Sequence, residues 1–509
     1  MASAELTLLE PPALDWSEGE RELRPVAPPA RDRTAWVLGA LLALGAFLRV
    51  WQLGDVGFNS DETVYVGQAA AIAHVPALEP YFPIFRAHPL LFQSVLSAGF
   101  RIGLDTGFER LISGMVGLVT IVLTYETGRL LYGRRAGLIA ALVLAVMPYH
   151  VVVTRQVLLD GPMTLCATLA LYLMVRYVLS ERAIWLYAAG GALGLTVLSK
   201  ETGIVLAGAI YAFFALSPGV KLRPGDLARS MGVMVLVIAP YPLALLLSGE
   251  TGTGGHFLSW QLLRPPNHTW TFYATTVPGA VGPLVLVAAV AGVFALYRER
   301  SWRETLLLAW MAAPLVFFSV WPVKGYQYLL PAAPPLAILA GRALASLSTR
   351  ARVVAVGAVA LSLLVPTWQR IQPTHASSLA GTGGVPGGRE AGEWIGANVP
   401  DGATLLTIGP SMANIIEFYG HRKAYGLAVS LNPLRRNPIY EPLPNPDLWI
   451  RRGELQYVVW DAYSAQRSPT FARRLLRYAD RYNGRVIDTE LVASGKDRTP
   501  VVVIYEVRP

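Results

Sequence analysis

The sequence predicts a polytopic α-helical membrane protein that carries an α/β domain at its carboxy-terminal end. The chain of 509 residues is 53% hydrophobic and only 15% charged, which makes it more apolar than ordinary soluble domains. Its apolar runs are roughly 15 to 20 residues long, which suits helices that cross a hydrocarbon core of about 30 Å. After Pro366 the composition shifts toward Gly, Pro, Asn, Arg and Asp, and no later run is long enough to span a bilayer.

The apolar runs predict about eleven transmembrane helices. The spans have to be helical, because lipid offers an exposed backbone no hydrogen-bond partners. The predicted spans lie near residues 35–53, 111–131, 136–152, 161–179, 184–198, 203–216, 231–247, 279–297, 305–320, 328–345 and 353–366.

Lys and Arg gather in alternate loops, and this pattern predicts the orientation of the chain, since short cytoplasmic loops retain positive charge. The basic loops on that side contain Arg31, Arg33, Arg134, Arg135, Arg182, Lys221, Arg223, Arg229, Arg298, Arg300, Arg303, Arg350 and Arg352. The amino terminus is then cytoplasmic, and residues 1–34, which have no apolar core, are predicted to form a disordered cytoplasmic tail. The net charge of +9 is therefore interpreted as a topology signal, not as a sign of nucleic-acid binding.

The part after the last span is predicted to be a separate domain on the outer side of the membrane. Residues 367–388 are interpreted as a linker that includes a Gly-rich stretch, and residues 389–509 as an extracytoplasmic α/β domain. Helical spacing at 389–398 and 471–482 alternates with short apolar strands at 404–408, 457–460, 486–487 and 501–505.

Asp61 and Glu62 stand side by side shortly after the first span, in a chain that otherwise keeps most carboxylates out of its apolar runs. Apolar residues from Val64 to Ala73 recur at helical spacing, so the pair lies near the amino end of a helix at the membrane surface. Residues 55–110 are thus predicted to contain extracytoplasmic loop helices, the second of which follows Pro89. A carboxylate at such a helix start either caps the helix or carries chemistry at the membrane surface.

Further charged residues are predicted within a few residues of the same membrane face. Arg155 and Asp160 lie after the third span, where a local ion pair is the structural alternative. Lys200 lies in a very short connection, where a snorkelling lysine is the alternative. Lys324 and Tyr326 lie before a Pro-broken apolar run, where an interfacial aromatic belt explains the tyrosine but not the lysine.

Together these residues fit a transferase better than a channel. A carboxylate can accept the proton of an attacking hydroxyl, while cations stabilise the charge that develops on a departing lipid phosphate. A flippase or permease for a lipid-linked phosphate is the competing class, but such transporters usually place ionisable residues at mid-span and often have internal repeats. An outer domain that only binds polysaccharide would not need so many spans.

Five motifs in order carry a resemblance to a known family. They are Asp61-Glu62, the sequence from His88 to Leu91, the segment from Arg155 to Asp160, the sequence from Ser199 to Gly203, and the sequence from Lys324 to Pro331. This order resembles glycosyltransferase family 39 and the protein mannosyltransferases, a group with the GT-C membrane fold that includes lipid A aminoarabinose transferases. The resemblance covers roughly residues 35–366, which would form the catalytic transmembrane domain.

The resemblance implies an inverting transfer of one sugar from a polyprenyl-phosphate donor to an acceptor hydroxyl, outside a bacterial-type cytoplasmic membrane. By position, Asp61 would be the general base, Glu62 would orient the first loop or the acceptor, and Asp160 would be a second carboxylate of the cavity. The donor phosphate would be held by Arg155, Lys200, Lys324 and Tyr326. His88 would belong to the loop motif. Relatives often have Arg near the position of Lys324, and Lys cannot make the same bidentate contact.

No cofactor follows from the sequence, although some members of the group bind a divalent ion. If this chain binds one, Asp61, Glu62 and Asp160 are the expected ligands. The expected partners are the lipid-linked sugar donor, a hydroxyl acceptor on a protein, a lipid or a cell-wall glycan, and membrane lipid, without nucleic acid. Acceptor selection by the outer domain and plain turn or core roles are both open for Tyr419, Asn432, Tyr440, Asn445, Asp447 and Trp460.

Overall fold

The computed structural model describes residues 33–295, 301–373, 384–494 and 497–509. The predicted amino-terminal tail up to residue 32, residues 374–383 of the predicted linker, and Arg298 and Arg300 lie outside the described residues.

The first two thirds of the described chain are helical. In chain order the helices are α1 Thr34–Val50, α2 Ser60–Ile72, α3 Leu91–Arg101, α4 Phe108–Tyr132, α5 Arg134–Val146, α6 Pro148–Thr154, α7 Asp160–Ser180, α8 Ala183–Ser199, α9 Val205–Leu216, α10 Pro224–Ile238, α11 Pro240–Ser248, α12 Thr251–Leu263, α13 Phe272–Val281, α14 Pro283–Ala295, α15 Trp302–Val320, α16 Ala333–Ala345 and α17 Thr349–Arg370. Short 3₁₀ helices at Glu201–Ile204 and Tyr326–Ala332 precede α9 and α16.

The chain is a multi-pass membrane protein. Within the described residues, six helices are long and apolar enough to cross a membrane, or up to eight if each of two bent pairs counts as one span. Three shorter apolar helices, Thr34–Val50, Ala183–Ser199 and Glu201–Leu216, account for the other predicted runs. Over the described residues, every predicted span thus lies mainly in helical structure, while the number eleven stays a prediction. The last span continues to Arg370, a few residues beyond its predicted end.

A bend between α5 and α6 shapes the region where the predicted site residues lie. The two helices meet at 59°. Met147 has φ −66° and ψ 122°, outside the helical region, because the ring of the following Pro148 disfavours helical backbone at the preceding residue. Pro148 then begins α6, a position that suits its fixed φ. The bend leads the chain through Arg155 to Asp160, the first residue of α7.

Helix α2 begins with a capping box that fixes the position of the acidic pair. The side chain of Asn59 accepts hydrogen bonds from the backbone N–H groups of Asp61 and Glu62, at 2.9 and 3.1 Å. The Glu62 carboxylate accepts in return from the Asn59 N–H at 3.0 Å. These bonds satisfy donors that a helix start leaves unpaired. Asn59 is therefore the cap, and Asp61 does not serve that purpose.

The carboxy-terminal part of the described chain is an α/β unit. It contains α18 Gly388–Asn398, α19 Pro410–Tyr419, α20 Pro446–Arg451, α21 Ala462–Arg467 and α22 Pro469–Arg481, with strands β1 Thr404–Thr407, β2 Lys423–Gly426, β3 Tyr457–Asp461, β4 Arg485–Ser494 and β5 Asp497–Glu506. The strand order is β2-β1-β3-β5-β4. Strands β2, β1 and β3 are parallel, whereas β5 is antiparallel to both β3 and β4.

Helices cover both faces of this sheet. Leu405 packs in a cluster with α18 and α19, while the next residue, Leu406, packs with α20 and α22 on the opposite face, as the alternation of a strand requires. Helix α19 also packs on the loop after α1, where the ring of Phe418 meets that of Phe58 edge-on at 5.4 Å. The α/β unit is therefore in direct contact with the segment that carries Asp61.

Candidate active site

Glu62 is a buried structural centre for the loop between α1 and α4. Arg110 of α4 donates to both carboxylate oxygens, at 2.8 and 2.7 Å. The N–H groups of Asn59 and Val157 add bonds of 3.0 Å each. The two oxygens of Glu62 accept hydrogen bonds from four donors in all. Glu62 therefore connects α2 to α4 and to the segment before α7. Of the two roles expected for it, this geometry favours orientation of the loop.

Asp61 differs from its neighbour because its carboxylate makes no hydrogen bond or ion pair with any side chain in the described part of the chain. The Asp61 side chain is exposed, so its carboxylate is open to solvent. Burial raises the pKa of the Asp61 carboxyl above its usual range, and the positive charge of Lys200 opposes that shift. An accessible carboxylate without a cationic partner can accept a proton.

Asp160 and Lys200 form a buried ion pair beside Asp61. The Lys200 ammonium lies 2.8 and 2.9 Å from the two Asp160 oxygens, and both side chains are almost fully buried. The ammonium also lies 4.5 Å from the centre of the Tyr328 ring. Lys200 can reach this position because its backbone is extended between α8 and the following 3₁₀ helix. The local pair considered between Arg155 and Asp160 is not formed.

His88 connects the loop motif to the connection after α8. Its Nδ1 lies 2.8 Å from a Glu201 oxygen. The imidazole is held edge-on between the rings of Tyr65 and Phe257, with centroids 6.1 and 5.2 Å away. His88 thus brings α2, α12 and the Lys200 segment together.

Lys324 is a buried cation with no ion pair to a carboxylate in the described residues. Its ammonium donates to the Trp321 carbonyl at 2.9 Å, and Asn267 binds its backbone N–H and carbonyl at 2.8 Å each. The ring of Tyr326 packs edge-on against Phe272 at 5.0 Å. The backbone carbonyl of Tyr326 accepts from the Tyr149 hydroxyl. Lys324 is thus the lysine of the predicted set whose charge is not already balanced.

Arg155 is turned away from the Asp160–Lys200 pair. Its guanidinium donates to the carbonyls of Leu48 and Trp51 at the end of α1, at 2.8 and 2.7 Å. It lines a separate recess of about 50 Å³ together with Arg110 and Arg370. Arg155 therefore does not lie together with Lys200. The last carbonyl groups of a helix have no partner within the helix, and at the end of α1 the Arg155 guanidinium donates to such carbonyls.

Sequence reasoning grouped the acidic pair Asp61-Glu62 with Asp160, Lys200 and His88, but it missed the partners of several of them, including Arg110, which binds Glu62. Arg110 was missed although it directly follows Glu109 at the start of an apolar run, where a charge needs a partner. Glu201 and Tyr328 stood within the quoted motifs but were given no role. Their contacts join segments more than 100 residues apart, which local spacing does not reveal.

The carboxylates named as conditional metal ligands do not form a shared metal site. Glu62 directs both oxygens to Arg110, and Asp160 directs both to Lys200. Across the described ranges, no three His, Cys, Asp or Glu side chains lie close enough together to hold a metal ion. Each of these two carboxylates already has a cationic partner, so the donor set does not fit a shared ion.

Comparison with known sequences identifies similar membrane transferases. Residues 87–243 match the sequence family described as dolichyl-phosphate-mannose-protein mannosyltransferase. An undecaprenyl phosphate-alpha-4-amino-4-deoxy-L-arabinose arabinosyl transferase from Pectobacterium carotovorum is 27% identical over 226 residues, which are 40% of this chain and 39% of that protein. The chain thus matches well under half the length of this curated relative.

Comparison with solved structures extends the likeness to the whole fold. ArnT from Cupriavidus metallidurans in the apo state has a TM-score of 0.70 at 16% identity, covering 93% of this chain and 98% of its own. The same protein bound to undecaprenyl phosphate has a TM-score of 0.66 at 17% identity, covering 92% and 98%.

A more distant likeness is found in an oligosaccharyltransferase. AglB from Archaeoglobus fulgidus, in complex with an inhibitory peptide and a dolichol-phosphate, has a TM-score of 0.58 at 14% identity, covering 92% of this chain and 74% of its own. The resemblance that the five motifs predicted is confirmed: the chain is similar in sequence to mannosyl- and aminoarabinosyltransferases, and it has the fold of GT-C glycosyltransferases.

Proposed function

We propose that this protein is an inverting glycosyltransferase. It moves one sugar from a polyprenyl-phosphate donor to a hydroxyl acceptor at the outer face of a bacterial-type cytoplasmic membrane. The amino terminus is cytoplasmic in this proposal, residues 35–366 form the catalytic membrane domain, and residues 389–509 form an extracytoplasmic domain. The likeness to transferases whose names include undecaprenyl phosphate supports the donor class.

The observation that carries the proposal is the contrast among the three carboxylates. Glu62 and Asp160 are each bound by a cation, whereas Asp61 has no such partner among the described side chains and is exposed. A general base needs free lone pairs within reach of the substrate, and only Asp61 of the three offers them.

The reaction then follows from the arrangement of charges. The acceptor hydroxyl oxygen attacks the anomeric carbon of the donor while Asp61 takes the hydroxyl proton. The bond between the anomeric carbon and the phosphate oxygen breaks, and its electron pair stays on that oxygen as polyprenyl phosphate leaves. Attack from the side opposite the phosphate inverts the anomeric configuration. Lys324, whose charge no described carboxylate balances, supplies most of the positive charge for the leaving phosphate, and Lys200, which is paired with Asp160, supplies less.

The test uses the full-length protein with a panel of radiolabelled polyprenyl-phosphate sugars and a cell-envelope fraction as acceptor. We expect a glycosidic product of inverted configuration from the wild-type protein. Asp61→Asn should lower the transfer rate by about 10²- to 10⁴-fold, the usual contribution of a general base, and should still bind the donor lipid.

Two results would contradict the proposal. Full transfer by Asp61→Asn would remove Asp61 as the base. Movement of labelled donor across vesicles that contain the protein, without any glycosidic product, would instead support the flippase alternative.

A further inference from the structure

A polar recess lies where the α/β unit meets the loop between α2 and α3. We call it the junction recess. It has a volume of about 280 Å³, close to the lower end of ligand pockets, which span roughly 300–1,000 Å³. This size suits a single small ring with its substituents. The residues that matter for its chemistry are Glu79, Arg86, Glu417, Lys423, Tyr440 and Glu441.

Arg86 is the feature that points to a ligand. Its side chain is 7% exposed, and its Nε and Nη1 have no hydrogen-bond partner in the described structure. Only Nη2 donates, to the side-chain oxygen of Asn414 at 3.3 Å. Buried donors without partners are costly, so a group that accepts hydrogen bonds is expected beside them. The guanidinium also lies over the Tyr440 ring, 5.4 Å from its centre.

The charges around the recess decide what kind of acceptor group fits. Arg86 and Lys423 are positive, whereas Glu79, Glu417 and Glu441 are negative. Lys423 already contacts Glu417 and Glu441, at 3.3 and 3.7 Å. A phosphate or carboxylate would meet more negative than positive charge here. A hydroxyl both donates and accepts, so a polyhydroxylated ring can satisfy the guanidinium and the carboxylates together.

The junction recess is joined to the proposed catalytic base by one side chain. Asn414 of α19 accepts from Arg86 and donates to the Ser60 hydroxyl at 3.0 Å. Ser60 directly precedes Asp61 at the start of α2. A ring held against Arg86 would therefore lie beside Asn414, whose side chain contacts the residue that directly precedes Asp61.

We propose that the junction recess binds an uncharged sugar ring of the acceptor. Arg86 donates to the ring hydroxyls, Glu417 and Glu441 accept from them, and the Tyr440 ring offers an apolar face to the ring carbons. The inference that this sugar belongs to the acceptor rests on the proposed function. The binding of a neutral sugar, by contrast, is measured without any transfer reaction. The acceptor class is then a glycan, not a protein hydroxyl or an anionic headgroup.

The test is saturation-transfer NMR on the full-length protein in detergent micelles, with a panel of neutral methyl glycosides and disaccharides, and separately with inorganic phosphate. Neutral glycosides should bind the wild-type protein, and Arg86→Gln should weaken that binding on the order of tenfold, as expected for the loss of charged hydrogen bonds. Because Arg86 is buried, Glu441→Gln at an exposed position is a second variant with the same expected direction. Arg477→Gln, at an exposed position that lines a different recess, is the matched control and should not change binding.

Each outcome decides the matter. Failure of every neutral glycoside to bind overturns the proposal, whether or not phosphate binds, and so does glycoside binding that survives both Arg86→Gln and Glu441→Gln. Asp61→Asn separates the two proposals, since it should lose transfer and keep glycoside binding. If glycoside binding depends on Arg86 but the protein has no transfer activity, the junction recess is a sugar-binding site and the proposed transferase function is wrong.

Discussion

At the scale of single residues, the raised pKa of Asp61 makes a prediction about pH. A general base works only when it is ionised, so the transfer rate should rise as the pH increases through the pKa of Asp61. Burial raises this pKa, so the acid limb of the rate profile should lie above the ordinary aspartate pKa of about 3.9. The positive charge of Lys200 lowers the pKa, and the negative charge of Asp160 raises it.

Two variants should therefore move that limb in opposite directions. Lys200→Gln removes the stabilising cation and should shift it to higher pH, while Asp160→Asn should shift it to lower pH. The measurement is kcat/KM against pH for each protein, normalised to its own plateau so that losses in rate do not interfere. Shifts in the same direction, or a limb that does not move in either variant, would show that another group carries the titration.

At the scale of elements, the position of α2 depends on the buried pair of Glu62 and Arg110. Removal of one partner of such a pair leaves an unpaired charge and costs about 3–5 kcal/mol. Glu62→Gln should therefore lower the thermal unfolding temperature clearly, as measured with the purified protein in detergent. Activity should fall with it, because the cap that places Asp61 includes the Glu62 carboxylate.

The matched control is Glu126→Gln, in the exposed pair with Arg129 of the same helix α4. Exposed pairs contribute roughly 0–1 kcal/mol, so this variant should melt close to the wild-type protein. If the two glutamate variants have equal unfolding temperatures, Glu62 is not the structural centre described above.

The elements also show how far sequence reasoning reaches in this chain. An apolar run that crosses lipid must pair its own backbone groups, so each predicted span lies mainly in helical structure over the described residues. The start of α2 beside Asp61 was also predicted, since its apolar residues recur at helical spacing. Strand β2, by contrast, was missed, because Lys423–Gly426 is short and mixes polar with small residues. Its strand conformation comes from pairing with β1, which is a tertiary effect.

The candidate site was only partly predictable from the sequence, because its contacts are also tertiary. Motif order grouped Asp160 with Lys200, but it could not show that they neutralise each other at 2.8 Å. Arg155 was grouped with them by sign of charge, whereas the carbonyls at the end of α1 hold it elsewhere. Asn432 and Asn445 accept hydrogen bonds from backbone N–H groups at the starts of short helices, so their turn roles are confirmed. Tyr440 instead lines the junction recess.

At the scale of the whole molecule, the α/β unit packs directly against the candidate site region. The Tyr419 hydroxyl accepts from the Phe58 N–H at 2.8 Å, and the Tyr81 hydroxyl donates to the His421 carbonyl at 2.6 Å. Phe418 is 4% exposed and belongs to the same apolar cluster as the membrane helices. One continuous core therefore joins the α/β unit to α2, so the junction recess and Asp61 share a single support.

This continuity predicts that damage at the junction will affect the acceptor more than the donor. Phe418→Ala removes a ring that contacts Phe58 and Phe82, and loss of a buried phenylalanine costs about 3–5 kcal/mol. The unfolding temperature should fall and the KM for the acceptor should rise, because Asn414 and Tyr440 lose a fixed position relative to α2. The KM for the lipid donor should change little, since Lys200 and Lys324 belong to the segments before α9 and α16. Leu476→Ala, at an exposed position of α22, is the control and should leave both constants unchanged. Equal increases of both constants in Phe418→Ala would mean that the junction supports the membrane domain as a whole, not the acceptor side of the site.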